Sequence, residues 1–323
     1  MSRALDQGVK EALKNGDHQA VYVSISGLLQ QNHTSLLEIE LLGQAYPLNV
    51  GVNFIQEQNA VAIPKLRLVQ AFIVARQVLQ RRQDDAHRVP REILPATAVI
   101  MLMDPEHLTA ANVRKRTLLS ADAVGTEIIQ RLNQEKYFID SLLTSRLHRH
   151  TKSPTLWSHR RWLMGQFAQH GQPIDAMQDI TNVVYVSAER HPRNYYAWCH
   201  ARQLIDASPT PLRICSGLVD PTMKWCFRHH DDVSGWMFLL WLLERDSEHC
   251  KDVFDETVKL ARSFHWRNES IWYFLRNLVL SAASQGRLTG QFHEALIELQ
   301  DGATVNDSCM LRRTLQWVDQ WSK

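Results

Sequence analysis

The sequence predicts an all-α protein, an α-α superhelix built from about five helical hairpins. Three observations support that fold class. Four tryptophans recur at intervals of 41, 38 and 36 residues, namely Trp157, Trp198, Trp236 and Trp272. Residues that turn a chain or cap a helix stand a few positions before each of them. The sequence between them keeps an apolar stripe at helical spacing, and a period of this size is typical of stacked helical pairs.

The composition limits the class of protein. The chain has 323 residues, of which 45% are apolar and 22% charged, as in ordinary folded domains. A net charge of only +2 gives no support for a nucleic-acid or membrane-surface binder. No run approaches the ~20 apolar residues of a membrane span, and the N-terminus lacks the apolar core of a signal peptide. We therefore expect a cytoplasmic protein without a membrane span, and the odd number of cysteines without Cys-x-x-Cys spacing predicts reduced thiols.

Residues 1–63 are predicted to form an N-terminal segment of mixed or irregular structure. Alternating apolar residues at 21–25 and at 48–52 favour strands. The stretch 17–63 also fits a helix followed by an extended arm, and its role is open. Residues 64–323 are predicted to form the helical solenoid, because the apolar spacing is helical almost without interruption from there on.

The solenoid is divided by the period of its anchors. Hairpin repeats are predicted near residues 91–119, 135–169, 173–207, 211–246 and 248–284, with a C-terminal cap at 288–321. The first repeat is placed by phase, because Pro105 lies six residues before Ala111, just as Pro192 lies six residues before Trp198. Ala111 then takes the anchor position. Residues 121–133 either prolong the preceding helix or form an insertion.

The anchors are expected to be structural. A helical hairpin cannot bury its apolar stripe alone, so a large aromatic side chain fills the space between neighbours, and its loss would cost about 3–5 kcal/mol. Arg114 and Arg160 follow their anchors by three residues and share the same helix face, where Arg160 is expected to satisfy helix-end carbonyls of the preceding unit. In the other units that position holds Ala201, Leu239 and Leu275. Arg202 and Arg276 come one position later and are candidates to compensate.

At these residues the chain resembles the α subunits of protein prenyltransferases. Their repeat is a helical hairpin whose second helix opens with Asn-Tyr-x-x-Trp-x-x-Arg. Residues 194–198 (Asn-Tyr-Tyr-Ala-Trp) match that opening, and residues 157–161 match a Trp-x-His-Arg-Arg form. Three further segments resemble the protein prenyltransferase alpha-subunit repeat-containing branch: residues 111–115, 152–154 and 234–235. The resemblance covers about residues 91–280 and implies a right-handed crescent.

The resemblance also implies a reaction. In this family a cysteine thiolate of a protein substrate attacks an allylic prenyl diphosphate, and the zinc ion that activates the thiolate belongs to a separate β subunit. This chain is then expected to be the α subunit, without a cofactor of its own, wrapped around a zinc-bearing β subunit. The branch implies geranylgeranyl transfer to a C-terminal cysteine and a β subunit of the Rab-type geranylgeranyl enzyme.

The family positions beside the diphosphate leaving group fall on Arg193 and Tyr195, which become the candidate catalytic residues. The family carries lysine at the first position, and arginine is compatible because a guanidinium binds phosphate oxygens in a bidentate manner. Asn194, between them, is the candidate for substrate binding. The alternative roles are a solvated arginine before a helix and a packing aromatic. In the fourth unit the corresponding basic and aromatic residues are missing, because the chain there reads Asp231, Asp232 and Val233.

A second hypothesis is a non-enzymatic helical-repeat scaffold for protein–protein interaction. The lost arginines and the altered fourth unit favour it, whereas the units are longer than a regular repeat of about 34 residues. An enzyme acting alone is disfavoured, because the sequence has no metal-ligand cluster, glycine-rich phosphate loop or nucleophile motif. Residues 226–230 (Cys-Phe-Arg-His-His) lack a second ligand cluster nearby. In an α subunit Arg193 and Tyr195 should project together, whereas in a scaffold they should point away from any shared cavity.

Overall fold

The computed structural model describes residues 7–31, 35–43, 46, 49, 51–84, 92–119, 126–284 and 286–321. Helices make up most of these residues, which confirms the predicted all-α class. The right-handed crescent stays a prediction. The chain divides into two compact units: unit 1 comprises residues 1–174 with 189–191, and unit 2 comprises residues 175–188 with 192–323.

Unit 1 opens with two helices and a small sheet and continues as helices. Its helices are α1 (Gln7–Asn15), α2 (His18–Leu28), α3 (Lys65–Asp84), α4 (Ile93–Met103), α5 (Leu108–Leu118), α6 (Thr126–Thr144), α7 (His148–Thr151) and α8 (Pro154–Gln169). The strands are β1 (Glu38–Leu42), β2 (Ile55–Glu57) and β3 (Ala60–Pro64). Strand β3 lies in the middle, parallel to β1 and antiparallel to β2.

Residues 21–25 do not form a strand but belong to α2, so the alternative that starts with a helix holds for this part of residues 17–63. Asp17 caps that helix: its carboxylate accepts a hydrogen bond from the backbone N of Ala20 at 2.9 Å. Three of the five residues are buried within the helix. The cap and the packing therefore outweigh the β propensity of the β-branched side chains. The second predicted strand, at 48–52, lies partly outside the described residues, and its described part is not a strand.

Helix α6 covers the edge of the sheet at the start of β1. The backbone N groups of Leu37 and Ile39 donate to Oγ of Ser141 at 3.0 Å and Oγ of Ser145 at 2.9 Å, respectively. The two serines are four residues apart and therefore lie on one helix face. Their hydroxyls satisfy backbone groups that an edge strand would otherwise expose. This contact fastens the sheet to the helical part of unit 1.

Residues 121–133, which the sequence assigns either to the preceding helix or to an insertion, are described in part by the structure. Helix α5 ends at Leu118, so the described residues do not support a longer α5. From Thr126 onward the chain belongs to α6, which continues to Thr144. The described part of this stretch is thus the start of the next hairpin's first helix, while residues 120–125 lie outside the described residues.

Unit 2 consists of helices in the part that the structure describes. They are α9 (Ala176–Asp179), a π-helical turn (Ile180–Val184), α10 (Tyr185–Arg190, whose last two residues fall in unit 1), α11 (Tyr195–Asp206), α12 (Pro211–Arg228), α13 (Val233–Leu243), a 3-10 turn (Ser247–His249), α14 (Cys250–Phe264), α15 (Glu269–Leu280), α16 (Thr289–Gln300) and α17 (Val305–Trp321). Helices α11, α13, α15 and α17 pack side by side in succession and form what we call the inner row. Helices α12, α14 and α16 each pack against the inner-row helix that follows them.

The second helix of each hairpin begins in the same way. A capping side chain stands four residues before the anchor and accepts a hydrogen bond from a backbone N of the first turn; the five caps are His107, Ser153, Asn194, Asp232 and Asn268. The anchors are at most 2% exposed; they are Ala111, Trp157, Trp198, Trp236 and Trp272. A cap of this kind is worth about 1 kcal/mol. A local signal therefore sets the phase of every unit, including the one whose anchor is an alanine.

Candidate functional site

The two arginines that follow their anchors by three residues form a buried ion cluster in unit 1. Arg114 binds both oxygens of the Glu135 carboxylate, with its Nε at 2.9 Å, and its NH1 donates to the carbonyl of Leu94 at 2.6 Å. Arg160 donates from Nε to Asp140 at 2.7 Å. All four charged side chains are buried. The structure gives Arg160 a carboxylate partner, while its predicted contact with helix-end carbonyls stays a prediction.

Burial and charge act in opposite directions on Glu135. Burial raises the pKa of Glu135. The guanidinium of Arg114 and the ring of His159 lower it, and the net pKa is about 2. Nε2 of His159 lies 2.8 Å from Oε1 of Glu135. Burial also lowers the pKa of His159, which favours its neutral ring. The cluster is therefore held by a carboxylate that must stay ionised.

The candidate catalytic residues lie where α11 begins, in residues 192–195, which we call the Arg193 turn. Arg193 has a φ of 57°, in the left-handed region that residues with a Cβ atom rarely adopt. Its backbone N donates to Oδ2 of Asp232 at 2.6 Å. Oδ1 of Asp232 caps α13 by accepting from the backbone N of Ser234 and Gly235 at 2.9 and 3.1 Å. Asp232, in the altered fourth unit, thus has a structural role: it fixes both the Arg193 turn and the next inner-row helix.

Asn194 is not placed to bind a substrate, which corrects the prediction for it. The residue is fully buried as the cap of α11. Its Oδ1 accepts from the backbone N of Ala197 at 3.3 Å, and its Nδ2 donates to Oγ of Ser187 at 3.1 Å. Both ends of the amide are therefore occupied by the fold. The Asn of the repeat motif is a cap, and the exposed residues are those on either side of it.

Trp198, the anchor of the repeat that contains Arg193, lacks the hydrogen bond that the other Trp anchors make. In three units the indole Nε1 donates to the carbonyl six residues earlier: Trp157 to Thr151 at 2.9 Å, Trp236 to His230 at 3.0 Å and Trp272 to Trp266 at 2.9 Å. Nε1 of Trp198 is buried and has no hydrogen-bond partner among the described residues. The equivalent carbonyl belongs to Pro192, directly before the left-handed Arg193. An unsatisfied buried donor costs about 1–3 kcal/mol, so the repeat departs from its own pattern at this turn.

The side chains of Arg193 and Tyr195 both face solvent. Tyr195 is 61% exposed, and Arg193 is exposed as well. A hydrogen bond to the Cys199 thiol raises the pKa of Tyr195. The backbone N of Tyr195 donates to the carbonyl of Arg193 at 2.9 Å. In the part of the chain that the structure describes, no side-chain hydrogen bond or ring contact joins the two residues. The turn therefore presents a cation and a phenol two residues apart in sequence, both exposed to solvent.

Known proteins match parts of this chain. A family model of the protein prenyltransferase alpha subunit repeat matches residues 140–167, and one of the ECM9 middle domain matches residues 156–264, which include the Arg193 turn. Over 171 residues the chain is 28% and 29% identical to the Danio rerio and Homo sapiens forms of "Protein prenyltransferase alpha subunit repeat-containing protein 1". It is 30% identical over 171 residues to "Protein ECM9" of Saccharomyces cerevisiae.

One segment of the chain, residues 140–167, thus matches the protein prenyltransferase α-subunit repeat, and the relatives are named for proteins that contain this repeat. This confirms the predicted resemblance to the repeat-containing branch. The alignments cover 47%, 47% and 52% of this chain and 38%, 40% and 44% of the three relatives. The chain therefore spans about two fifths of the length of the curated relatives it matches.

In unit 2, three arginines stack on aromatic rings. Arg202 of α11 reaches the next inner-row helix, where NH2 donates to the Met237 carbonyl at 2.9 Å and Cζ lies 5.8 Å from the ring centre of Trp241. Arg245 covers the same ring at 3.6 Å. Burial lowers the pKa of Arg202. Arg276 is likewise stacked on aromatic rings. These arginines stack on aromatic rings, as Arg114 does on Phe138 with its Cζ 4.5 Å from the ring centre, and Arg245 also pairs with Asp206 at 3.4 Å.

Two further features concern ligands and membranes. Among the described residues, no group of three or more His, Cys, Asp or Glu side chains is placed to hold a metal ion. Burial raises the pKa of the Cys226 thiol, the first residue of the Cys-Phe-Arg-His-His segment, well above its usual value. No helix in the described ranges is long and apolar enough to cross a membrane.

Proposed function

We propose that this chain is the α subunit of a heterodimeric protein prenyltransferase that transfers a geranylgeranyl group to a C-terminal cysteine of a protein. Its partner would be a zinc-bearing β subunit of the Rab-type geranylgeranyl enzyme. The reduced-cysteine pattern of the sequence supports a cytoplasmic location. The observation that carries the proposal is the Arg193 turn, where the repeat departs from its own hydrogen-bond pattern at the residues that match the family's diphosphate positions.

The chemistry needs donors where negative charge develops. When the thiolate attacks the prenyl carbon, the bond to the diphosphate breaks and charge accumulates on the leaving oxygens. A guanidinium binds such oxygens with two parallel N–H groups, and a phenol O–H adds one more donor. Arg193 and Tyr195 are both exposed and supply these groups. Removing one preorganised donor of this kind typically lowers a rate by about 10²–10³-fold.

The backbone of the turn supports the same proposal. A left-handed residue with a side chain costs about 1–3 kcal/mol and persists only where the surrounding structure holds it. Glycine would adopt φ 57° without that cost. The position nevertheless carries an arginine, whose backbone is held by the hydrogen bond from its N–H to Asp232. Retained strain of this sort is typical of functional sites, where a side chain is held in one direction.

The test is pairing followed by transfer. The chain should be co-purified with candidate prenyltransferase β subunits, and each pair assayed with farnesyl and geranylgeranyl diphosphate on a protein ending in a cysteine motif. We expect a stable pair with the Rab-type β subunit and transfer of the geranylgeranyl group. Arg193→Ala should leave the pair intact and abolish most of the transfer.

Arg213→Ala is the matched control, because Arg213 is an exposed arginine on α12 and also belongs to unit 2. It should pair and transfer like the unchanged chain. A stable pair in which Arg193→Ala and Arg213→Ala transfer equally would remove the site from the proposal. Failure to pair with any β subunit would refute the proposal and favour the helical-repeat scaffold.

A further inference from the structure

A groove of about 370 Å³ runs between α15 and α17, the last two helices of the inner row. Its lining includes Tyr273 and Arg276 of α15 and Cys309, Met310 and Arg313 of α17. The volume falls within the range of ordinary binding clefts. None of these residues takes part in the Arg193 turn, so the groove is a second candidate surface of unit 2.

Arg276 is held rigidly in this groove. Its guanidinium carbon lies 4.4 Å from the ring centre of Tyr273 and 4.7 Å from that of Trp317, so the group is stacked between two aromatic rings. Its Nε is buried and has no hydrogen-bond partner among the described residues. A buried donor of a charged group without a partner is costly. Stacking fixes the direction of the guanidinium but leaves its hydrogen-bonding capacity unused.

The charge of the groove is not neutralised from within. Among the residues that the structure describes, no carboxylate forms an ion pair with Arg276 or Arg313. Glu269 lies in the lining of the same groove without pairing with either arginine. The groove therefore offers two arginines with free donors and one carboxylate that would repel a uniformly anionic ligand.

Beside the groove lies an exposed aromatic patch. Trp317 and Trp321 are 41% and 60% exposed, and their ring centres are 5.8 Å apart. Together with Arg313 they are spaced four residues apart along α17, so they lie along one face of that helix. Exposed tryptophan beside arginine is characteristic of protein interfaces, where these two residue types carry much of the binding energy.

We propose that this surface binds an acidic segment of a partner protein, in which glutamate or aspartate side chains stand next to apolar ones. The carboxylates would accept hydrogen bonds from Arg276 and Arg313, and the apolar side chains would cover Trp317 and Trp321. Glu269 favours such a mixed segment over a nucleic-acid backbone, whose evenly spaced phosphates it would repel. The inference goes beyond the proposed prenyl transfer and does not depend on a β subunit.

The test uses the full chain and a fluorescein-labelled peptide of about a dozen residues, a usual length for groove recognition. The peptide carries two glutamates one helical turn apart, each followed by leucine or phenylalanine, and a second peptide has glutamine in place of both glutamates. Fluorescence anisotropy gives the affinity. We expect saturable binding of the first peptide and at least tenfold weaker binding of the second, since charge-assisted hydrogen bonds are about twice as strong as neutral ones.

The variants are Arg276→Met and Arg313→Met, which keep an apolar stem and remove the charge. Each should weaken binding of the acidic peptide about tenfold, the loss expected for a charge-assisted hydrogen bond. Arg312→Met, at the neighbouring exposed arginine of α17, is the matched control and should bind normally. Arg313 is exposed, so its variant keeps the test valid even if Arg276→Met does not fold.

Two outcomes would overturn the inference. One is peptide binding that is absent at millimolar concentration or equal in Arg313→Met and Arg312→Met. The other is binding of a duplex RNA or an anionic vesicle that is lost in Arg313→Met while the acidic peptide does not bind. Prenyl transfer by the heterodimer is a separate readout, so failure here leaves the proposed function as it stands.

Discussion

Glu135 is the centre of the buried ion cluster of unit 1, and we predict that Glu135→Gln lowers the free energy of unfolding at neutral pH by about 3 kcal/mol. Glutamine keeps the shape of the side chain and removes its charge. Arg114, only 5% exposed, then loses both of its carboxylate contacts. Breaking one side of a buried ion pair typically costs about 3–5 kcal/mol, because the remaining charge stays buried without compensation.

The lowered pKa of Glu135 reflects the same contact with Arg114 and is consistent with a cost of this order. The folded chain lowers it from 4.5 to about 2, and at 1.36 kcal/mol per pKa unit this corresponds to about 3 kcal/mol. Because the folded pKa lies below the unfolded one, the contribution is fully present above pH 4.5 and is lost as the pH falls towards 2. The unchanged chain should therefore lose stability through that window, and Glu135→Gln should lack that part of the loss.

The assay is urea unfolding followed by circular dichroism, at neutral pH and at several values between pH 4.5 and 2.5. The control is Glu127→Gln on the same helix, where the side chain of Glu127 is 53% exposed and paired with Arg131. A surface pair of this kind contributes about 0–1 kcal/mol. The reasoning would be refuted by a cost for Glu135→Gln no larger than that of the control. A cost that does not shrink towards low pH would also contradict it.

Three further changes in unit 2 test the geometry. Gly235→Ala should lower the free energy of unfolding in urea by about 1–3 kcal/mol, because the new Cβ would lie 2.9 Å from Cε3 of the rigid Trp225 ring; an unchanged value would contradict the tight helix contact. Trp198→Phe should lower the free energy of unfolding by about 1–3 kcal/mol less than Trp272→Phe does, since only the change at Trp272 removes an indole hydrogen bond. Equal losses would contradict the absence of a hydrogen bond at the Trp198 indole. Arg193→Gly should raise the Tm of the isolated chain by roughly 2–4 °C, as expected for about 1 kcal/mol of relieved strain; a lower Tm in calorimetry would show that the turn is not strained.

The repeats were predictable because their signals are local. A cap four residues before each anchor and a large aromatic at the anchor both act within one or two turns of helix. The same logic located Ala111 from Pro105 without any tryptophan in that unit. Helix α4 (Ile93–Met103) lies within the first predicted repeat, at residues 91–119.

The sheet and the second half of the N-terminal segment could not be predicted in the same way. Residues 21–25 have strand-like composition, but the cap at Asp17 and the packing of unit 1 make them helical. The real strands depend on partners distant in sequence, such as Ser141 and Ser145 on α6, about a hundred residues away. No local pattern specifies a contact of that range.

The candidate site stays a prediction, although the structure bears on the placement of its residues. Its place and its two exposed side chains, Arg193 and Tyr195, follow from the repeat motif. The left-handed backbone of Arg193 is held by Asp232 of the next repeat, which the motif does not encode. The motif also does not predict that the indole N–H of Trp198 lacks a hydrogen bond among the described residues. The role of Asn194 was mistaken because the motif does not distinguish a cap from a substrate ligand.

The most direct test of the central claim is the single-turnover rate of geranylgeranyl transfer by the assembled heterodimer, measured for Arg193, Arg193→Lys and Arg193→Ala. Single-turnover conditions report the transfer step apart from product release. We predict that lysine, the residue the family carries there, keeps most of the rate and that alanine lowers it by about 10²-fold or more, with the heterodimer intact in all three. Equal rates for all three chains would contradict a role of the Arg193 turn beside the diphosphate.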